Sequence, residues 1–189
     1  MYRTILPLTT LALAAACATP NPPTVSAADV NRAYAEARAI GGLPFTATDA
    51  LPTGTVSYTG KLGVDVSGDL DGALLGDMQM RVAFADNTVG GNVSNINFID
   101  SDGRPDQRMD GRLVIDGYES AGRIDAFASG VLQGVDRRGQ LAETDVLLTL
   151  DGNVHSDRRN GDAVFGEATG SGIGDLRFDA DGVFFGRAN

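Results

Sequence analysis

Few side chains in this 189-residue chain could do chemistry. It holds one histidine, His155, and one cysteine, Cys17. One imidazole gives no His pair for a transition metal. Nothing sets a Ser beside His155 on the strained turn that a nucleophile needs. Nucleophile and base must lie within hydrogen-bond reach, so the residues point away from an enzyme. His155 lies at the end of a predicted strand and Tyr118 in a predicted turn. Either could serve as an axial haem ligand, whereas a lone solvated His is the simpler reading. Asp-x-Asp-Gly occurs three times, at 69–72, 100–103 and 179–182, and Asp106 could add an oxygen to the second copy. Such spacing suits calcium, but no copy completes an EF-hand loop. Asp-Gly is itself a hairpin signal, and three turns explain all three copies at once. No metal and no cofactor is expected.

The elements that must position these residues are strands. Val56, Tyr58, Gly60, Leu62, Val64 and Val66 alternate with Thr55, Ser57, Thr59, Lys61, Gly63 and Asp65. A period of two puts one apolar and one wet face on a ribbon. After a Gly/Asp turn the alternation resumes at Met78, Met80, Val82 and Phe84, which predicts a hairpin. Further strands are predicted at 89–99, with a bulge at Gly90-Gly91, and at 109–115, 124–132, 144–154, 163–171 and 183–186. Polar loops or turns are predicted at 101–107, 117–122, 136–139 and 156–161, and an irregular passage at 172–180. All but two of the 25 glycines follow Leu51, as turns, bulges and tight corners require. The expected fold is all-β: a single small antiparallel eight-stranded up-and-down barrel, preceded by a short helix. Ring closure removes the edges that an open sheet must protect. The barrel is read as soluble, with the Val/Leu/Met/Phe set inside. Aromatic residues make up only 6% of the chain, too few for two membrane girdles. The chain also ends Arg187-Ala188-Asn189, not on an aromatic residue.

Ahead of the barrel come three predicted segments. Residues 1–16 read as a signal peptide, with Arg3 as a basic start and an apolar stretch too short to span a bilayer. Leu13-Ala14-Ala15-Ala16-Cys17 resembles a bacterial lipobox, although the family pattern prefers Leu at the position of Ala14. That resemblance makes Cys17 the lipidated first residue of the mature protein. The alternative is ordinary cleavage near Ala16 with Cys17 incidental, which would leave a lone thiol in an exported protein. Residues 17–25, with Pro20, Pro22 and Pro23, read as an extended lipidated tether leading away from the membrane. A short helix follows over 26–42. Ser26 is its N-cap, Asp29 sits in the first turn, Val30, Tyr34, Ala37 and Ile40 share a face, and Gly41-Gly42 stops it. The helix is expected to pack on the mouth or flank of the barrel, or else to protrude as a handle. The formal net charge of −10 sets nucleic acid and anionic lipid aside as partners.

In the C-terminal half the order of motifs becomes specific. It runs Leu150-Asp151-Gly152-Asn153-Val154, then Gly161-Asp162-Ala163-Val164-Phe165-Gly166-Glu167-Ala168-Thr169-Gly170, then Asp181-Gly182-Val183-Phe184-Phe185-Gly186. Residues 54–189 resemble the barrel domain of transferrin-binding protein B and related bacterial surface lipoproteins. Val154 stands where that family usually carries an aromatic residue. The resemblance implies a non-catalytic lipoprotein on the surface of the outer membrane, moved there by a surface-lipoprotein translocator. It implies a binding module for an extracellular protein or nutrient, of the iron or haem acquisition type. It transfers no partner-binding residue, and transferrin binding itself does not carry over to a single barrel. The alternative is a periplasm-facing carrier that holds a small apolar ligand or haem inside the barrel, as lipocalin-type barrels do.

Overall fold

A computed structural model describes residues 18–157 and 159–189. The predicted signal peptide and Cys17 lie outside these residues. The strands are β1 (Thr55–Gly68), β2 (Gly72–Ala83), β3 (Thr88–Asp100), β4 (Pro105–Arg108), β5 (Asp110–Gly111), β6 (Leu113–Ser120), β7 (Arg123–Val135), β8 (Leu141–Asp157), β9 (Gly161–Gly174) and β10 (Phe178–Ala188). The short β4 and β5 continue into β6 as one wall strand. β4 pairs with β3, β5 with β7, and β6 with both. Counted this way the sheet has eight walls, each antiparallel to its neighbours. The ring closes where β1 meets β10, from Tyr58 opposite Ala188 to Gly68 opposite Phe178. It is the up-and-down barrel that the alternation predicts.

The predicted apolar faces point inward. Tyr58, Leu62, Val64, Met78, Met80, Val82, Leu148, Leu150 and Phe184 are all buried in one core. Burial of such side chains stabilises the fold by about 1.5–3 kcal/mol each. The inward glycines are sites of close packing. A Cβ on Gly152 or Gly166 would lie 2.6 Å from the Phe184 ring, and one on Gly172 would lie 2.4 Å from the Phe178 ring. The rings fill the space that these glycines leave. An enclosed space lined by Leu62, Gly76, Leu132 and Phe178 measures about 10 Å³, room for at most one water.

Several boundaries differ from those predicted, each for a local reason. The ladder runs unbroken through Gly90-Gly91 to β2 and β6. Gly91 is there because a Cβ would sit 2.1 Å from the Gln79 carbonyl oxygen. The bulge falls instead at Asn95, where the register shifts between Leu75 and Asp77 and φ is +50°. Asn tolerates that conformation, and the Asn95 side chain donates to the Asp77 carboxylate at 2.9 Å. The predicted loop 101–107 ends at Arg104, because Pro105 can begin a strand without its N–H. Gln107 is buried and completes the ladder with its side chain: its amide donates to the Val135 carbonyl and accepts from the Val135 N–H, both at 2.9 Å. The predicted turn 117–122 shrinks to Ala121 and Gly122, both at positive φ, as a two-residue hairpin turn demands. Tyr118 is therefore a strand residue. The passage 172–180 is strand on either side of the turn 175–177. Asp181-Gly182 lies inside the β10 ladder, opposite Asp65 and Val64, so the third Asp-x-Asp-Gly is not a turn.

The helix α1 spans Ala27–Gly41 with a complete capping box between Ser26 and Asp29. It lies on the flank of the barrel and does not protrude. Ala33, Ala37 and Ile40 pack on outward side chains of four strands: Leu75 of β2, Ile99 of β3, Ala163 of β9 and Phe185 of β10. Tyr34, predicted on the buried face, is 67% exposed; Ala33 takes its place in the stripe. Residues 18–25 do not lead away from the barrel. Ala18 N–H donates to the Gly139 carbonyl at 3.0 Å, Arg108 N–H to the Asn21 carbonyl at 3.0 Å, and Thr24 N–H to the Asn97 side chain at 2.8 Å. Beyond the helix the chain runs along β8: Thr46 N–H donates to the Val154 carbonyl at 2.9 Å.

Candidate functional site

His155 is not solvated. It is 3% exposed and covered by the segment after α1. Its Nδ1 lies 2.9 Å from the Leu43 carbonyl oxygen. Its ring sits 5.0 Å from Phe45 and 6.0 Å, edge to face, from Phe165. Such a ring is a packing element that fastens the 43–46 segment to β8. Tyr118 is 58% exposed on the outer face of β6. The strand β7 lies between it and the strand that carries His155. The structure thus does not bring the two haem-ligand candidates together, and neither faces the interior.

The first two Asp-x-Asp-Gly copies are turns held by their leading carboxylates. Asp69 accepts from Arg177 N–H at 2.9 Å, which ties two turns together. Asp100 accepts from Arg104 N–H at 2.8 Å and Asp102 N–H at 3.0 Å. Asp65 and Asp181 stand directly opposite each other on β1 and β10. Among the described residues no group of three or more His, Cys, Asp or Glu is disposed to hold a metal.

Besides Gln107 and Thr144, two buried polar groups of the interior stand out. The Tyr58 hydroxyl is buried without a partner among the described residues. Burial, followed by the charges of Asp162 and Glu119, raises its pKa well above the usual phenol range. Glu119 is also buried, and its carboxylate accepts from Gly122 N–H at 2.6 Å. It fastens the hairpin turn that closes this end of the barrel. The period-two pattern sets Tyr58 on the inward face but does not mark Glu119.

With the interior filled, the outer wall is the surface left to describe. A feature there was missed in the sequence. On the face of β6–β9, the outward residues Val114, Tyr118, Phe127, Val131, Leu147 and Ile173 are all exposed. The register makes them diagonal neighbours. Phe127 pairs with Asp116 and Thr149, which sets it beside Val114, Tyr118 and Leu147. Leu147 pairs with Ser171, next to Ile173. Diagonal neighbours on one face lie within reach of large side chains. Acids are interspersed with the stripe: Asp116 stands opposite Phe127 and Asp145 opposite Val131 and Ile173, while Glu143, Asp151 and Glu167 are exposed on the same strands. Arg123 offsets part of this charge by pairing with Asp151 at 2.6 Å and Asp125 at 3.6 Å. Exposed apolar side chains grouped on one face mark a candidate interaction surface. Its members interrupt the alternation at Leu113-Val114-Ile115, Val131-Leu132 and Leu147-Leu148, and the cross-strand register brings them together.

Comparison of the chain with protein-family models, with curated proteins and with solved structures finds no match.

Proposed function

We propose that this chain is a non-catalytic, lipid-anchored binding module of the outer membrane, attached through Cys17 and displayed at the cell surface. The observation that carries the reading is the pairing of a filled interior with exposed apolar side chains interspersed with acids on the wall of β6–β9. A space of about 10 Å³ leaves a barrel-internal haem or apolar ligand no room. Binding is therefore assigned to the wall of β6–β9, where the interspersed acids favour a protein partner with a basic, partly apolar surface. The likeness of residues 54–189 to the barrels of transferrin-binding protein B and related lipoproteins supports surface display and the use of a translocator. The outward Asp, Arg, Thr and Glu side chains support a barrel that does not itself span lipid.

The test is protease accessibility on intact cells, wild type against Cys17→Ala. The reading expects protease to remove the wild-type protein from whole cells, and the variant to be released in soluble form. Protection of the wild type until the outer membrane is broken would replace display with a periplasm-facing lipoprotein.

A further inference from the structure

We propose that the end of the barrel formed by the turns 69–71, 101–104, 136–140 and 175–177 rests on the phospholipid surface, so that the opposite end points away from the membrane. The inference rests on lipidation of Cys17. A free tether of eight residues would wander about 15 Å from its root and leave the barrel unoriented. Residues 18–24 are not free. Ala18 is hydrogen-bonded to Gly139 in the turn between β7 and β8. Asn21 is held by its carbonyl and by its side chain, which donates to Asp110 at 2.7 Å. Thr24 is held on Asn97. One peptide unit, about 3.8 Å between Cα atoms, separates Ala18 from the lipidated residue. The acyl chains must therefore enter the bilayer beside the 136–140 turn.

The chemistry of that end fits a headgroup layer. Arg137, Arg138 and Arg177 are exposed there and make no ion pair among the described residues. Leu141, 66% exposed, and Ile173 lie on the same rim. Arginines suit lipid phosphates and exposed aliphatic side chains suit the interface below them. The turn acids Asp69, Asp100, Asp136 and Asp175 each accept backbone N–H groups. With the exposed Asp71 and Asp102 these six acids outnumber Arg104, Arg137, Arg138 and Arg177, so the end is acidic overall. The anchor and its strap, not bulk charge, therefore set the orientation. The far end is about 30 Å away, from the length and tilt of a 13-residue strand such as β7.

The test uses the full lipidated protein in vesicles of phosphatidylethanolamine and phosphatidylglycerol that carry a headgroup-level quencher. A fluorophore is placed on Ser101→Cys at the proposed membrane end, or on Asp86→Cys at the far end. Quenching severalfold stronger at position 101 is expected. Equal quenching, or the reverse order, would overturn the orientation. Flotation and the mass of the N-terminal peptide report lipidation separately: a protein with unmodified Cys17 that does not float defeats the anchor, not the orientation. A Gly/Ser linker of about twelve residues between Cys17 and Ala18, with a reach of about 19 Å, is expected to bring the two signals together. A contrast that survives the linker would overturn the strap as the orienting element.

Discussion

Phe178 and Gly172 face each other directly across β10 and β9, and the interior depends on that exchange of volume. In Gly172→Ala the new Cβ would meet two Phe178 ring carbons at 2.4 Å and the Thr144 methyl at 2.7 Å. Overpacking of this kind costs about 1–3 kcal/mol, partly offset by the roughly 0.4–1 kcal/mol that Ala gains over Gly in the unfolded chain. A net loss of about 1–2 kcal/mol is expected. Phe178→Leu removes buried ring carbons and should cost about 1–2 kcal/mol alone. In the double variant the shorter side chain takes away the clashing ring and the methyl fills part of the space. Its loss should fall short of the sum by about 1–2 kcal/mol. The chain has no Trp, so urea unfolding is followed by far-UV circular dichroism and tyrosine fluorescence. Additivity within about 0.5 kcal/mol would refute the view that rings and glycines fill the core as matched pairs.

Three further outcomes are expected. Ser26→Ala removes the N-cap of α1 and should cost about 1 kcal/mol, seen as earlier hydrogen exchange in the helix than in the barrel; uniform loss across the chain would show that the helix is not a separable layer. Asp157 is held at about 2 by Asn160 first, then by Arg159 N–H and Arg187. A depressed carboxylate contributes stability that is present above its unfolded value near 4 and lost as the pH falls through 2. Asp157→Asn should therefore flatten the fall in stability between about pH 4 and pH 2, and an unchanged slope would contradict the assignment. Phe127→Ser with Leu147→Ser should leave unfolding within about 0.5 kcal/mol of wild type while reducing capture of a cationic amphipathic peptide. Stability lost without a change in capture would make the stripe structural.

The alternation of Tyr58, Leu62, Val64 and their counterparts made the barrel legible, because a half-buried strand writes burial into every second residue. The seat of α1 was written too, though in a different code. Leu74-Leu75, Val164-Phe165 and Val183-Phe184-Phe185 are apolar at adjacent positions, which marks strands covered on both faces. What stayed hidden depends on pairing. Gln107 and Glu119 are polar residues in buried positions, satisfied by backbone groups at Val135 and Gly122. His155 looked solvated because Leu43 and Phe45, which cover it, lie about a hundred residues away in the chain. The stripe from Tyr118 to Ile173 is apolar only diagonally, across strands whose register no single segment contains.

The seam between β1 and β10 also has a consequence for timing. A chain made N-terminus first presents β1 early and β10 late, because Phe178–Ala188 follows the other nine strands described. Until that strand arrives, β1 has β2 on one side and an open edge on the other. Such edges recruit other chains, and folds dominated by distant pairings are slow, on the order of milliseconds to seconds. Closure of the ring thus waits on Phe178–Ala188, and a chaperone that shields the unpaired edge of β1 would act on the chain until that strand pairs.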